Sequence, residues 1–361
     1  MKPLHRDLVI HRPTPLNAET PLSRLRSQFI TATDDFYVRT HGDIPQLNDR
    51  AYRLTVTGNV SSELQLGLEE IKNGFALEDL PATLQCAGNR RSDMSSVRPV
   101  LGEAWGAGAI GTAVWTGASL AAVLRSAGIS QEANLHVAFE GADEIVIQNG
   151  RTHFGGSIPI EKALRGHVLL AYSMNAEPLQ AEHGGPLRVI VPGYAGARSV
   201  KWLTKIRVQD RPSSNFYQQR DYKLFPASMR PEAVDYDQGM IIYEMPLNSA
   251  ICEPASLQTI TAGRCKVRGY AIAGERIVSR VEVSINGGRE WLPAKICAGT
   301  GNPWTWIFWK VEVDIPGGTH ELAVRAWDSA GQTQLALPDD AWNFKGYLCA
   351  SWHRVWIKAV T

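Results

Sequence analysis

The segment Leu84-Gln85-Cys86-Ala87-Gly88-Asn89-Arg90-Arg91 sets one thiol in a tight turn followed at once by two guanidinium groups. Nearby cations favour the thiolate, the form of cysteine that attacks electrophiles and ligates soft metals. The residues alone leave two readings open: an ionised ligand or nucleophile, and a buried cysteine beside a surface Arg-Arg pair. No His–Asn partnership or CGSCW-like signature accompanies Cys86, so nothing points to a papain-type protease. Two further cationic islands stand out. Phe36-Tyr37-Val38-Arg39-Thr40-His41 lies upstream, and the glycine-dense stretch from His183 to Lys201 carries His183, Arg188, Arg198 and Lys201. Glycine lets backbone donors approach a ligand and Arg and Lys complement phosphate, so this stretch reads equally as an anion site or as a core strand bounded by surface charges. QQRDYKLF adds Tyr222 beside an acid and two cations, which in a loop is ordinarily a solvated charge run.

One familiar pattern is set aside. Gly106-Ala107-Gly108-Ala109-Ile110-Gly111 fits GxGxxG, but the dinucleotide fingerprint needs a strand before it and a helix opening within it. GEAW is no strand and Thr112 to Gly117 delays any helix, so a glycine-rich loop lining some other site is expected.

The elements that must position these groups form an α+β pattern. At 361 residues the chain exceeds one typical core, and two domains are expected. Residues 1–30, polar and proline-rich, read as an extended arm over the surface. Tyr52, Leu54 and Val56 alternate on one face of a strand ending at Gly58. Leu120, Val123 and Leu124 follow helical spacing, with Gly128 as the stop. NLHVAFEG, HVLLAYSM, LRVIVPG and SVKWLTKIRV read as strands, Asp143 stands at the end of the first of these, and Pro159 opens a short helix. The texture changes between Tyr243 and Pro254. Beyond it, short alternating segments with Asn286-Gly287-Gly288 as a hairpin turn predict an immunoglobulin-like β-sandwich. The boundaries are therefore a mixed α/β domain over 1–240 and an all-β domain over 241–361.

A net charge of +1 argues against broad binding to nucleic acid or an anionic membrane, so any anion recognition belongs to a pocket. Five cysteines without a CxxC pair disfavour both a disulfide framework and a structural zinc site. No signal peptide, membrane-length apolar run or SKL-type terminus is seen, and a cytoplasmic location is expected.

FYVRTH, LQCAGNRR with SDMSSVRPV, HGGPLRVIVPGYAGARSVKWL, RDYK and the linker MPLNSAIC resemble the molybdenum domain of the sulfite oxidase family, in the same order. The β domain with WNFKGYLCASWHRV resembles that family's C-terminal dimerisation domain. No cytochrome b5-like domain is seen, so the likeness is to the haem-free members. The resemblance implies a molybdenum–molybdopterin cofactor with Cys86 as the protein's ligand to the metal. It assigns cofactor contacts to Tyr37, Arg39, Thr40, His41, Asp143, His183, Arg188, Ser199, Val200 and Lys201. It implies a substrate pocket containing Arg39, Arg91, Trp105 and Tyr222. Lys345 stands where the sulfite oxidases carry a third anion-binding arginine, which keeps the charge but loses the bidentate fork. The implied activity is oxidation of sulfite to sulfate, with electrons passed to an unidentified external acceptor. Reduction of nitrate or a sulfoxide on the same scaffold is the alternative. A homodimer is also implied, and Trp304, Trp306, Phe308 and Trp309 are either its surface or alternating sandwich core.

Overall fold

The computed structural model describes residues 7–130, 134–148, 150–299 and 301–361. The chain opens in a small antiparallel sheet of β1 (Val9–Arg12), β2 (Asn17–Glu19) and β3 (Val38–Arg39). The arm expected over the surface turns inward in its middle: Asn17 and Ala18 are fully buried, while Val9 and Ile10 stay exposed. The reason is polar. Asn17 Oδ1 accepts from Arg39 Nη1 at 3.0 Å and from the Thr40 amide at 3.1 Å, so the arm satisfies donors that the cationic segment brings into the interior.

Two five-stranded sheets carry the first domain. One comprises β6 (Leu77–Gln85), β7 (Ile110–Ser119), β10 (Leu169–Met174) and β11 (Glu177–Pro178), with β12 (Arg188–Ile190) also paired to β10. The other follows the order β5 (Leu64–Leu66), β4 (Leu54–Gly58), β13 (Leu203–Gln209), β8 (His136–Ile147), β9 (Gly150–Pro159). Leu54, Val56, Val137, Phe139, Ile206 and Val208 from this sheet meet Ala118, Leu170 and Val189 from the first in one core. The helix Leu120–Ser126 buries Leu120, Val123 and Leu124 in the same core and ends before Gly128 at φ +67°. A two-stranded ribbon of β14 (Lys223–Leu224) and β15 (Met240–Ile241) closes the domain.

Two expectations change here. Thr112 to Gly117 does hold off the helix, which opens at Leu120, but it does so as part of β7, paired with β6 throughout, and not as a loop. Asp143 is not at a strand end either. β8 runs on to Ile147, and a register shift between Glu140 and Glu144 buries Asp143 at a bulge, the device by which a strand re-aims one side chain.

The second domain is two facing sheets. One orders β16 (Asn248–Glu253), β18 (Gly263–Ile272), β22 (Ile307–Ile315) and β21 (Lys295–Ala298). The other orders β17 (Thr259–Thr261), β24 (His353–Val360), β23 (Gly318–Asp328), β19 (Val278–Ser284) and β20 (Leu292–Pro293). Alternating apolar residues from both fill the space between, among them Val267, Trp309, Val283, Val324 and Ile357. Asn286-Gly287-Gly288 leads only into the short β20, with both glycines at positive φ. The aromatic run is spent inside the chain. Trp306 and Phe308 pack with Leu25, Ala107 and Ile110 of the first domain, Trp306 Nε1 donates to Phe29 O at 3.0 Å, and Trp309 lies in the sandwich core.

Candidate active site

Cys86 follows the last residue of β6. Its amide donates to Ala109 O at 2.9 Å, and the Asn89 amide returns to Cys86 O at 2.9 Å, closing the turn. The thiol is buried and free of any disulfide. The two arginines that follow diverge. Arg90, in the left-handed region at φ 66°, turns to the second domain, where Nη1 donates to Ser351 O at 2.7 Å and Nη2 to Trp352 O at 3.0 Å. It also donates from Nη1 to Asn248 Oδ1 at 3.2 Å and Ser249 O at 3.3 Å, and from Nε and Nη2 to Asp93 Oδ2 at 2.9 and 2.7 Å. Arg91 donates from Nε to Lys345 O at 3.0 Å and from Nη1 to Glu103 O at 2.9 Å. Arg39, from β3, shares with Cys86 the wall of a cleft that neither Arg90 nor Arg91 lines.

The cleft lies in the first domain, with Cys86 in its wall. The same wall carries Tyr37, Arg39, Thr40, His41, Asp143, His183, Arg188, Ser199, Lys201 and Tyr222. The structure thus gathers eleven of the expected residues, from five separate stretches of sequence, around one space. Val200 is buried behind it. Trp105 is fully buried in the cluster of Phe36, Tyr37 and Cys86, with Nε1 unpartnered. Lys345 is turned aside: Nζ pairs with Asp221 at 2.9 Å, the residue before Tyr222.

Burial is the dominant electrostatic cause throughout the cleft. It holds His41 well below its ordinary value, assisted by Arg39 and Lys201, and brings His183 down to about 3 against the opposing charge of Glu182. It lowers Lys201, with Arg188 adding repulsion, while Lys201 Nζ donates to Glu182 O at 2.8 Å. It brings Arg188 down to about 10, which still leaves the guanidinium charged at neutral pH. Arg188 donates to His183 O at 2.7 Å and Ser199 O at 2.9 Å, yet its Nε is buried without a partner. Asp143, raised by burial, accepts the Phe154 amide at 3.2 Å. Together these leave buried positive charge that an anionic ligand would relieve.

Several wall residues escaped the sequence reading. Phe154 stacks on His41 with centroids 4.6 Å apart, and Glu182 and Trp202 flank residues that were singled out. The only signal for the latter two was adjacency. Glu19, across from the glycine motif, was likewise missed: its carboxylate accepts the Gly106 and Gly108 amides at 3.0 and 3.2 Å. The GxGxxG loop therefore binds the chain's own carboxylate, and a β-carbon on Gly106 would sit 2.9 Å from Glu19 Oε1.

Comparison with known proteins bears on the family and the fold. Residues 41–217 match the oxidoreductase molybdopterin binding domain and residues 239–360 the Mo-co oxidoreductase dimerisation domain. The chain is 41% identical to sulfite oxidase of Gallus gallus, across 98% of this chain and 78% of that protein. It is 38% identical to sulfite oxidase of Arabidopsis thaliana, across 99% and 95%. Among solved structures, the sulfane dehydrogenase SoxCD of Paracoccus pantotrophus superposes with a TM-score of 0.81 at 25% identity, over 96% of this chain and 85% of that one. The chain belongs to the sulfite oxidase family of molybdopterin-binding oxidoreductases.

Proposed function

We infer that this protein is a molybdenum-dependent enzyme that oxidises sulfite to sulfate and passes the electrons to an external acceptor. The observation that carries the inference is the convergence of Cys86, Arg39, Arg188, Lys201 and Tyr222 on one cleft, in a chain similar to sulfite oxidases over nearly its whole length. When bound, the cofactor supplies the two-electron redox chemistry; the protein supplies position, charge and exclusion of water.

The donors present fit such a group. Cys86, a lone buried thiol in the cleft wall, suits a single thiolate ligand to a metal that arrives with its own donors. The unpartnered Arg188 Nε suits an anionic oxygen, and a cofactor phosphate beside Lys201 would raise the pKa that burial has lowered. Tyr37, Arg39, Thr40, His41, His183, Ser199 and Asp143 complete the pterin contacts, with Val200 backing them from the core and Asp143 accepting from ring N–H groups.

On the substrate side, Arg39 and Arg91 carry fixed charge toward the anion and the Tyr222 hydroxyl donates to it, while the buried Trp105 excludes water. Lys345 acts at one remove, by neutralising Asp221. The second domain is read as immunoglobulin-like and as the contact of a homodimer, which its match to a dimerisation domain supports. The test is sulfite-dependent reduction of ferricyanide by protein shown to hold molybdenum. Turnover that is lost in Cys86→Ser is the expected result. No turnover with sulfite, alongside nitrate consumption with reduced viologen, would overturn the reading in favour of nitrate.

A further inference from the structure

The segment Lys345-Gly346-Tyr347, far in sequence from the cysteine turn, braces Arg91 from several sides. Lys345 O accepts from Arg91 Nε at 3.0 Å. Gly346, at φ 62°, leaves the space in which Arg91 runs, since a β-carbon there would lie 2.6 Å from Arg91 Cγ. The Arg91 guanidinium carbon stands 4.9 Å from the centre of the Tyr347 ring. The same ring stacks on Tyr222, with centroids 5.3 Å apart and planes inclined by 19°. Tyr347 is nearly fully buried, and its one ring contacts both Arg91 and Tyr222, of which Tyr222 lines the cleft.

We propose that Tyr347 is a positioning residue for the substrate anion, fixing the Arg91 guanidinium by a cation–π contact and the Tyr222 phenol by stacking so that both donors meet one sulfur oxyanion. The proposal rests on the reading that Arg91 and Tyr222 face sulfite. Both contacts use the face of the ring, so its hydroxyl is dispensable. Preorganisation of this kind acts on binding: two flexible donors fixed before the ligand arrives lose less freedom when it binds. It accordingly appears in KM and in product affinity rather than in kcat.

The experiment compares native holoenzyme with Tyr347→Met, which fills the volume without a π-face, Tyr347→Leu as a second such variant, and Tyr347→Phe. Molybdenum content and thermal midpoint are measured for each. The readouts are KM and kcat for sulfite with ferricyanide, and the Kd of sulfate by calorimetry. Tyr347→Met and Tyr347→Leu are expected to raise KM and the sulfate Kd by about 3- to 30-fold, with kcat changed far less. Tyr347→Phe is expected to restore native values. Unchanged KM and Kd in the Met or Leu variant, or a Phe variant as impaired as either, would overturn the proposal. If neither aliphatic variant retains molybdenum, a Phe variant that raises either constant more than about fivefold overturns it by itself. Native protein that binds sulfate but does not oxidise sulfite defeats the functional reading alone, since the sulfate measurements still decide the role of Tyr347. Native protein that does neither overturns both.

Discussion

The Tyr222 hydroxyl and His41 Nε2 stand 3.0 Å apart, and burial keeps both partners uncharged. It lowers the histidine, with Arg39 and Lys201 against it, and raises the phenol over the opposing pull of Arg39. The bond therefore joins two neutral groups across the ordinary working range of pH.

The Tyr222→Phe variant should consequently lower kcat/KM for sulfite by about ten- to a hundredfold, the worth of one hydrogen bond to a charged species. Its pH profile between about pH 6 and 9 should keep the native shape, because neither partner titrates there. A limb present in the native profile and absent in the variant would contradict this assignment.

Arg91 runs through a slot floored by glycine. A β-carbon on Gly88 would lie 2.6 Å from Arg91 Nη2, and one on Gly346 would lie 2.6 Å from Cγ. Gly346→Ala also forces alanine to positive φ, so it should lose about 1 kcal/mol of stability that Gly88→Ala keeps. Both variants should raise KM for sulfite. Denaturant unfolding and steady-state kinetics check the two halves separately, and a native KM in both would show that Arg91 adjusts freely.

Glu19 caps the glycine loop that receives the Cys86 amide. The Glu19→Ala variant leaves two inward amides without their acceptor and should cost about 2–4 kcal/mol in urea unfolding. Glu19→Gln retains one acceptor oxygen and should cost roughly half as much. Equal losses in the two variants would locate the effect elsewhere.

Burial, with Arg90 nearby, brings His353 down to about 4, and its Nδ1 accepts the Ile251 amide at 3.1 Å, which requires the neutral ring. A histidine depressed on folding gives stability that is complete above its unfolded pKa near 6.5 and lost as pH falls toward 4. The contribution is about 3 kcal/mol. Urea midpoints at pH 7 and pH 4.5 should therefore fall less in His353→Gln, whose amide oxygen can accept the same bond. An identical fall in both proteins would exclude this histidine as a source of acid sensitivity.

Local periodicity made the strands and the helix at Leu120–Ser126 legible, because alternation and helical spacing are written in consecutive residues. It could not foretell that Asn17 and Glu19 are interior, since the acceptors they provide answer donors 22 and about 90 positions away. The ordered blocks named the cysteine and most of the cleft wall. The fates of Arg90 and Arg91 were not legible: neighbours in sequence, they part because one adopts positive φ and the other opens a short helix. At Lys345 the charge was legible and its partner Asp221, 124 positions away, was not.

Arg90 bears a final consequence. Its guanidinium, fully buried, is bonded to Asn248, Ser249, Ser351 and Trp352 while its backbone belongs to the turn that carries Cys86. The thiol turn and the sandwich thereby behave as a single mechanical joint. Loosening the turn that carries Cys86 would mean prising it from the sandwich, so the turn inherits the stiffness of a domain that lines none of the cleft. Cutting the chain at its linker would leave two halves of a hinge pin, and neither half would be a smaller enzyme.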